Sequence, residues 1–155
     1  MKIGVNFKPL YFYSSNLKKI KHHLLDMGYV IKEESDFFLK LELFQSNERF
    51  LIRIYKTGDF SYYSYYDRIN RIQLSNLISK SMVLLENLRS NNFIQVEYPQ
   101  KIYFLFFGEK KNIKPERIKK VILKICKNYF NQCKIIYKFQ NEYMLKLEAS
   151  QENII

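Results

Sequence analysis

From Phe37 to Tyr66, apolar and polar side chains alternate through three runs separated by short polar turns. No other stretch limits the fold as much. Phe37, Leu39, Leu41 and Leu43 alternate with Phe38, Lys40, Glu42 and Phe44. Phe50, Ile52 and Ile54 alternate with Arg49, Leu51, Arg53 and Tyr55. Phe60, Tyr62, Ser64 and Tyr66 alternate with Ser61, Tyr63 and Tyr65. A period of two puts each set on its own face of an extended strand. Gln45–Glu48 and Thr57–Asp59 suit hairpin turns. The spacing therefore predicts a three-stranded meander whose Phe/Leu/Ile face other elements must cover.

Candidates for that cover recur along the chain. Leu17, Ile20, Leu24 and Met27 predict a helix over about 17–27, with Ser14, Ser15 and Asn16 as caps and Gly28 at its end. Leu74, Leu77, Ser81, Leu84 and Leu88 predict the longest helix within 67–88. Pro115 and Glu116 open a third, carrying Ile118, Ile122 and Ile125 and running to about Tyr129. Lys2–Phe7 reads as a first strand that Pro9 confines to an edge or stops early. Phe93–Tyr98 reads as a short strand, Lys101–Phe107 as a central one, and Lys134–Phe139 with Tyr143–Glu148 as a last hairpin.

These elements predict an α+β fold: a mostly antiparallel sheet with three amphipathic helices packed on one face, in which a βαββ-type unit occurs twice. One domain over 1–150 is expected, divisible into lobes 1–90 and 91–150, with 151–155 as a frayed tail. Leu39-Lys40-Leu41-Glu42 returns as Leu145-Lys146-Leu147-Glu148, although four shared letters do not by themselves make a repeat. Up to about Leu88 the order strand, helix, sheet, helix resembles one lobe of TATA-binding-protein-like domains. That resemblance is in element order and implies fold alone.

Charge bears on function. The 155 residues carry a net charge of +11, and from residue 101 onward 12 basic residues face 5 acidic ones. Such an excess suggests a polyanionic partner. Codon bias offers a second source, because Phe, Tyr, Ile, Asn and Lys abound, lysine outnumbers arginine 20 to 6, and there is one alanine. The gene is AT-rich, as in an organelle, a low-GC bacterium or a mobile element.

Cys126 and Cys133 make no disulfide framework. No stretch has signal-peptide or transmembrane length, which places the expected protein in a cytoplasm or organelle matrix rather than outside the cell. Reaction motifs are missing. The four glycines are scattered singly, His22 and His23 point apart on one helix, and His22 with Asp26 reads as an ordinary surface pair. Glu109-Lys110-Lys111 with Asp59 would be the sparsest form of a metal-dependent nuclease site. No catalytic residue, metal ligand or cofactor is therefore assigned.

Two surfaces remain as binding candidates. Arg117, Lys120, Lys124 and Lys127 recur at helical spacing opposite the isoleucines, preceded by Lys110, Lys111 and Lys114. Arg49, Arg53, Tyr55, Tyr63 and Tyr65 share the polar face of the meander. Cations with interleaved rings suit phosphates and bases. The expectation is a small basic, non-enzymatic nucleic-acid-binding protein, with RNA favoured over single-stranded DNA, such as a component of a ribonucleoprotein. The alternative is an interaction module or inhibitor of a host complex, encoded by a mobile element or virus, that binds an acidic protein surface. A nuclease is the lesser alternative. No membrane role is expected, since the apolar side of the third helix is needed for the core. If the last hairpin extends the sheet, the tyrosine face and the lysine ridge are expected to form one site.

Overall fold

The computed structural model describes residues 1–9, 12, 14–68, 70–94, 101–108, 114–128 and 133–151. The order is β1 (Lys2–Phe7), α1 (Leu17–Asp26), β2 (Val30–Glu34), β3 (Phe38–Gln45), β4 (Glu48–Tyr55), β5 (Phe60–Tyr65), α2 (Arg71–Ser90), β6 (Lys101–Phe107), α3 (Pro115–Cys126), β7 (Cys133–Gln140) and β8 (Met144–Gln151). The eight strands form one sheet in the order β2-β3-β4-β5-β1-β6-β8-β7, every neighbouring pair antiparallel. All three helices pack on one face. Ile20 and Leu24 of α1, Leu77 and Leu88 of α2, and Ile118 and Ile122 of α3 join Ile3, Val5, Leu41, Ile52, Phe104 and Leu147 in one core.

The expected α+β fold is thus the observed one, and its local signals are legible. Ser46 and Asn47 have φ of 54° and 60°, the left-handed pair that a two-residue hairpin requires between β3 and β4. Gly28 ends α1 at φ 99°, where any side chain would be strained. Pro115 occupies the first turn of α3. Asn70 caps α2 by accepting from the Gln73 amide at 2.7 Å.

Three expectations need correction. Pro9 neither stops β1 early nor confines it to an edge. It lies beyond the strand's last residue, so its missing N–H costs the ladder nothing, and β1 sits in the sheet's interior between β5 and β6. The meander has a fourth strand beyond the three expected, because Val30–Glu34 pairs with β3. As an edge strand with a bulge, β2 has no alternating burial to betray it. Asn16 does not cap α1 through its side chain; its amide donates instead to the Phe93 carbonyl at 3.3 Å. The strand expected at Phe93–Tyr98 lies largely outside the described residues.

The two halves follow one plan. In each, a strand (β1, β6) leads to a helix (α1, α3), the helix leads to an outer edge strand (β2, β7), and the chain returns inward to lie beside the first strand. The first half inserts β4 and β5 into that return. The four shared letters hold equivalent places: β3 and β8 each pair with a bulged edge strand in the same register, Val30↔Glu42 and Ile31↔Leu41 matching Ile136↔Glu148 and Tyr137↔Leu147. The residue at each bulge is a lysine, Lys32 and Lys138. A bulge carrying a lysine makes both edges poor templates for another strand. β1 and β6 pair with each other about a local two-fold, with Val5 opposite Phe104.

This pairing is where the halves join, so it sets a test. Phe104→Ala should cost about 3–5 kcal/mol in urea denaturation, as expected for a ring deleted from a closed core. Phe44→Ala, at a position 68% exposed, should stay within about 0.5 kcal/mol of the parent.

Candidate nucleic-acid interface

The face of the sheet away from the helices has no described element packed on it. Strand register lays its side chains in rows. One row runs Lys40, Arg53, Ser61, Asn6, Tyr103, Glu148 and Ile136 across seven strands. The next runs Glu42, Leu51, Tyr63, Gly4, Leu105, Lys146 and Phe139. Nearer the start of β1, Tyr65, Lys2, Phe107 and Met144 stand side by side.

Most cations here sit on rings or carboxylates of the sheet itself. The Lys2 ammonium lies 4.6 Å from the Tyr63 ring centre, the Lys146 ammonium 4.6 Å from that of Tyr103, and the Arg53 guanidinium 5.0 Å from that of Phe38. Arg53 also donates to the Tyr55 hydroxyl at 3.3 Å, and this bond raises the guanidinium's affinity for its proton. Burial, followed by the nearby Arg53 charge, lowers the Lys2 pKa.

Glu42 is held from both sides: Arg49 donates Nε to Oε1 at 2.9 Å and Nη2 to Oε2 at 3.0 Å, and Lys32 stands at 3.4 Å. The Arg49 hydrogen bonds hold the Glu42 carboxyl below its ordinary pKa. Glu148, 4% exposed, takes the equivalent place in the second half, with Lys138 at 3.0 Å and Lys101 at 4.0 Å.

At the end of β1, the open face dips into a groove of about 830 Å³. Lys8, Lys101 and Lys146 supply positive charge, Tyr55 and Tyr103 supply rings, and Asn6 and Ser61 supply polar groups. The buried Asn6 Oδ1 has no hydrogen-bond partner among the described residues. Asp59 is the acid on the lip, and its carboxylate already accepts from the Thr57 hydroxyl at 2.9 Å. At the opposite end of the same face, Phe44, Tyr65 and Phe107 are exposed rings. The groove's lysines escaped sequence reasoning because Lys8, Lys101 and Lys146 come from three segments that only the β1–β6–β8 ladder gathers. Their alternation with Ile102, Phe104, Leu145 and Leu147 was the available signal.

The residues expected to act together fall on two separate surfaces. Arg49, Arg53, Tyr55, Tyr63 and Tyr65 do share the open face, but the Tyr63 ring is 2% exposed and offers no free surface for stacking. Lys114, Arg117, Lys120, Lys124 and Lys127 are exposed on or beside α3, in the helix layer behind the sheet. The last hairpin does extend the sheet, yet the ridge and the tyrosine face do not meet, because α3 docks on the opposite side. Lys110, Lys111 and the Glu109 of the nuclease reading lie outside the described residues.

Cys126 is buried, and a hydrogen bond with Cys133 followed by desolvation raises its pKa far above the ordinary thiol range, so it is not a poised nucleophile. Among the described residues no three His, Cys, Asp or Glu side chains cluster as metal ligands, and no helix is long and apolar enough to cross a membrane. No protein-family model matches the chain, and no curated protein matches it.

Glu42 yields a pH test. Its carboxylate is stabilised in the folded state, so its contribution is present above the unfolded pKa of about 4.3 and is lost as pH falls through the lower folded value. Glu42→Gln should therefore cost about 0.5 kcal/mol at neutral pH. In denaturant titrations that difference should close as pH falls below the ordinary carboxylate range.

Proposed function

We propose that the chain binds single-stranded nucleic acid, RNA before DNA, on the open face of its sheet. The observation that carries this reading is the groove where Lys8, Lys101 and Lys146 converge beside Tyr55 and Tyr103. Lysines there contact phosphates. The exposed Tyr65, Phe107 and Phe44 give bases a stacking surface farther along the face. An extended sheet suits an unpaired strand better than a duplex, because unpaired bases can turn their faces to the rings.

The test is a salt titration of binding to a labelled oligouridine. Affinity should fall with salt, each phosphate contact adding about 0.7 to the log–log slope. Lys8→Gln with Lys146→Gln should weaken binding and flatten the slope by about 1.4, whereas Lys18→Gln, on the outer side of α1, should leave both unchanged. Tyr65→Ala should cost about 1–3 kcal/mol of binding with the salt slope intact, as for a lost stacking partner. An absence of binding at low salt would end this reading.

A further inference from the structure

The helix layer carries a second cationic feature that the proposed nucleic-acid site does not use. Between α2 and α3 lies an open groove of about 520 Å³. Its floor is apolar, made of Leu74, Ile118 and the partly buried Val121, and its rim is Arg71, Arg117, Lys120 and Lys124. All four rim residues are exposed, and none forms an ion pair with a described carboxylate. In this they differ from Lys21, Lys32, Arg49 and Lys138, each of which has its acid.

The repeat supplies a control within the same molecule. Matching the buried Ile20 and Leu24 of α1 to Ile118 and Ile122 of α3 sets His23 against Val121. On the first side this position is tied across to α2 and the residues after it: His23 Nε2 is hydrogen-bonded to Asn87 Oδ1, the His23 ring meets Phe93 edge-on at 5.4 Å, and Asn16 donates to the Phe93 carbonyl. On the second side α3 packs closely on α2, and the groove lies over that contact with Val121 on its floor. The outer positions have diverged as well. Lys19, His22 and Asp26 of α1, which nearly cancel in charge, correspond to Arg117, Lys120 and Lys124 of α3, which sum to three positive charges. Folding alone does not demand either change, since α1 packs on the core without them.

We propose that the α2–α3 groove docks an acidic amphipathic helix of a partner protein, its aliphatic side chains on the Leu74–Ile118–Val121 floor and its carboxylates against the four rim cations. Charge complementarity selects an acidic partner. The apolar floor selects a helix over a nucleic-acid backbone, because phosphates and sugars leave such a floor wet, whereas residues at i, i+3, i+4 and i+7 fill it.

The test uses the intact chain and a labelled synthetic helical peptide with leucines at i, i+3, i+4 and i+7 and glutamates flanking them. A scrambled peptide of the same composition serves as its pair. The ordered peptide should bind at least tenfold more tightly than the scrambled one and shift the methyl resonances of Leu74, Ile118 and Val121. Arg117→Glu with Lys120→Glu should abolish that binding, and Val121→Ser should weaken it, with circular dichroism unchanged in both. Lys8→Gln with Lys146→Gln should leave it intact, which separates this groove from the sheet face. Equal affinity for the two peptides would overturn the proposal. So would an oligothymidine that shifts the same methyl resonances and displaces the ordered peptide, since the groove would then be a phosphate surface.

Discussion

Everything in this molecule depends on the antiparallel pairing of β1 with β6. Each half alone would present a sheet whose innermost strand had an unpaired edge, an exposed row of amides and carbonyls. Joining the two edges removes both at once and makes one eight-stranded sheet. It also makes the apolar face continuous. Val5 stands opposite Phe104, flanked by Ile3 with Phe106 and Phe7 with Ile102, all 2% exposed or less. A face that wide cannot be left in water, which is why three helices share it.

The halves share a plan down to particular ion pairs. Glu42 and Glu148 each lie next to an edge strand, and each takes a lysine from a bulge, Lys32 or Lys138, plus a cation from its other flank. A carboxylate that satisfies the bulge lysine holds the edge strand in register where the ladder is interrupted. Against this common frame the differences stand out: the first half has two more strands, and the second has a lysine-rich helix that packs on α2 with a cation-rimmed groove over the contact.

The positive charge is therefore gathered on two surfaces and not spread evenly. On the open sheet face, cations lie on rings or beside carboxylates, with Lys8, Lys101 and Lys146 gathered at one groove. On the helix layer, Arg71, Arg117, Lys120 and Lys124 face solvent around an apolar floor. The sheet lies between the two surfaces, so a partner on one leaves the other free.

Much of the fold was legible from periodicity. Leu39, Leu41, Ile52, Ile54, Phe60 and Tyr62 belonged on a covered face because alternation at period two permits little else once half the residues are apolar. Ile20, Leu24, Ile118 and Ile122 belonged on helices that cover it. The cationic spacing of Arg117, Lys120 and Lys124 was likewise visible, since residues three and four apart share one side of a helix. What could not be read was any property that depends on which strands become neighbours. Pairing joins residues far apart in the chain, and the local pattern of Lys2–Phe7 is the same at an edge as in the centre. β2 stayed hidden because an exposed, bulged edge strand buries no alternate residue. The groove stayed hidden because Lys8, Lys101 and Lys146 meet only through the β1–β6–β8 ladder. The sequence by itself determined that a two-faced sheet with amphipathic helices must form. Only the tertiary structure decided that the tyrosines and the lysine ridge lie on opposite sides, because the apolar stripe that seats α3 and the apolar face that receives it leave that helix one place to go.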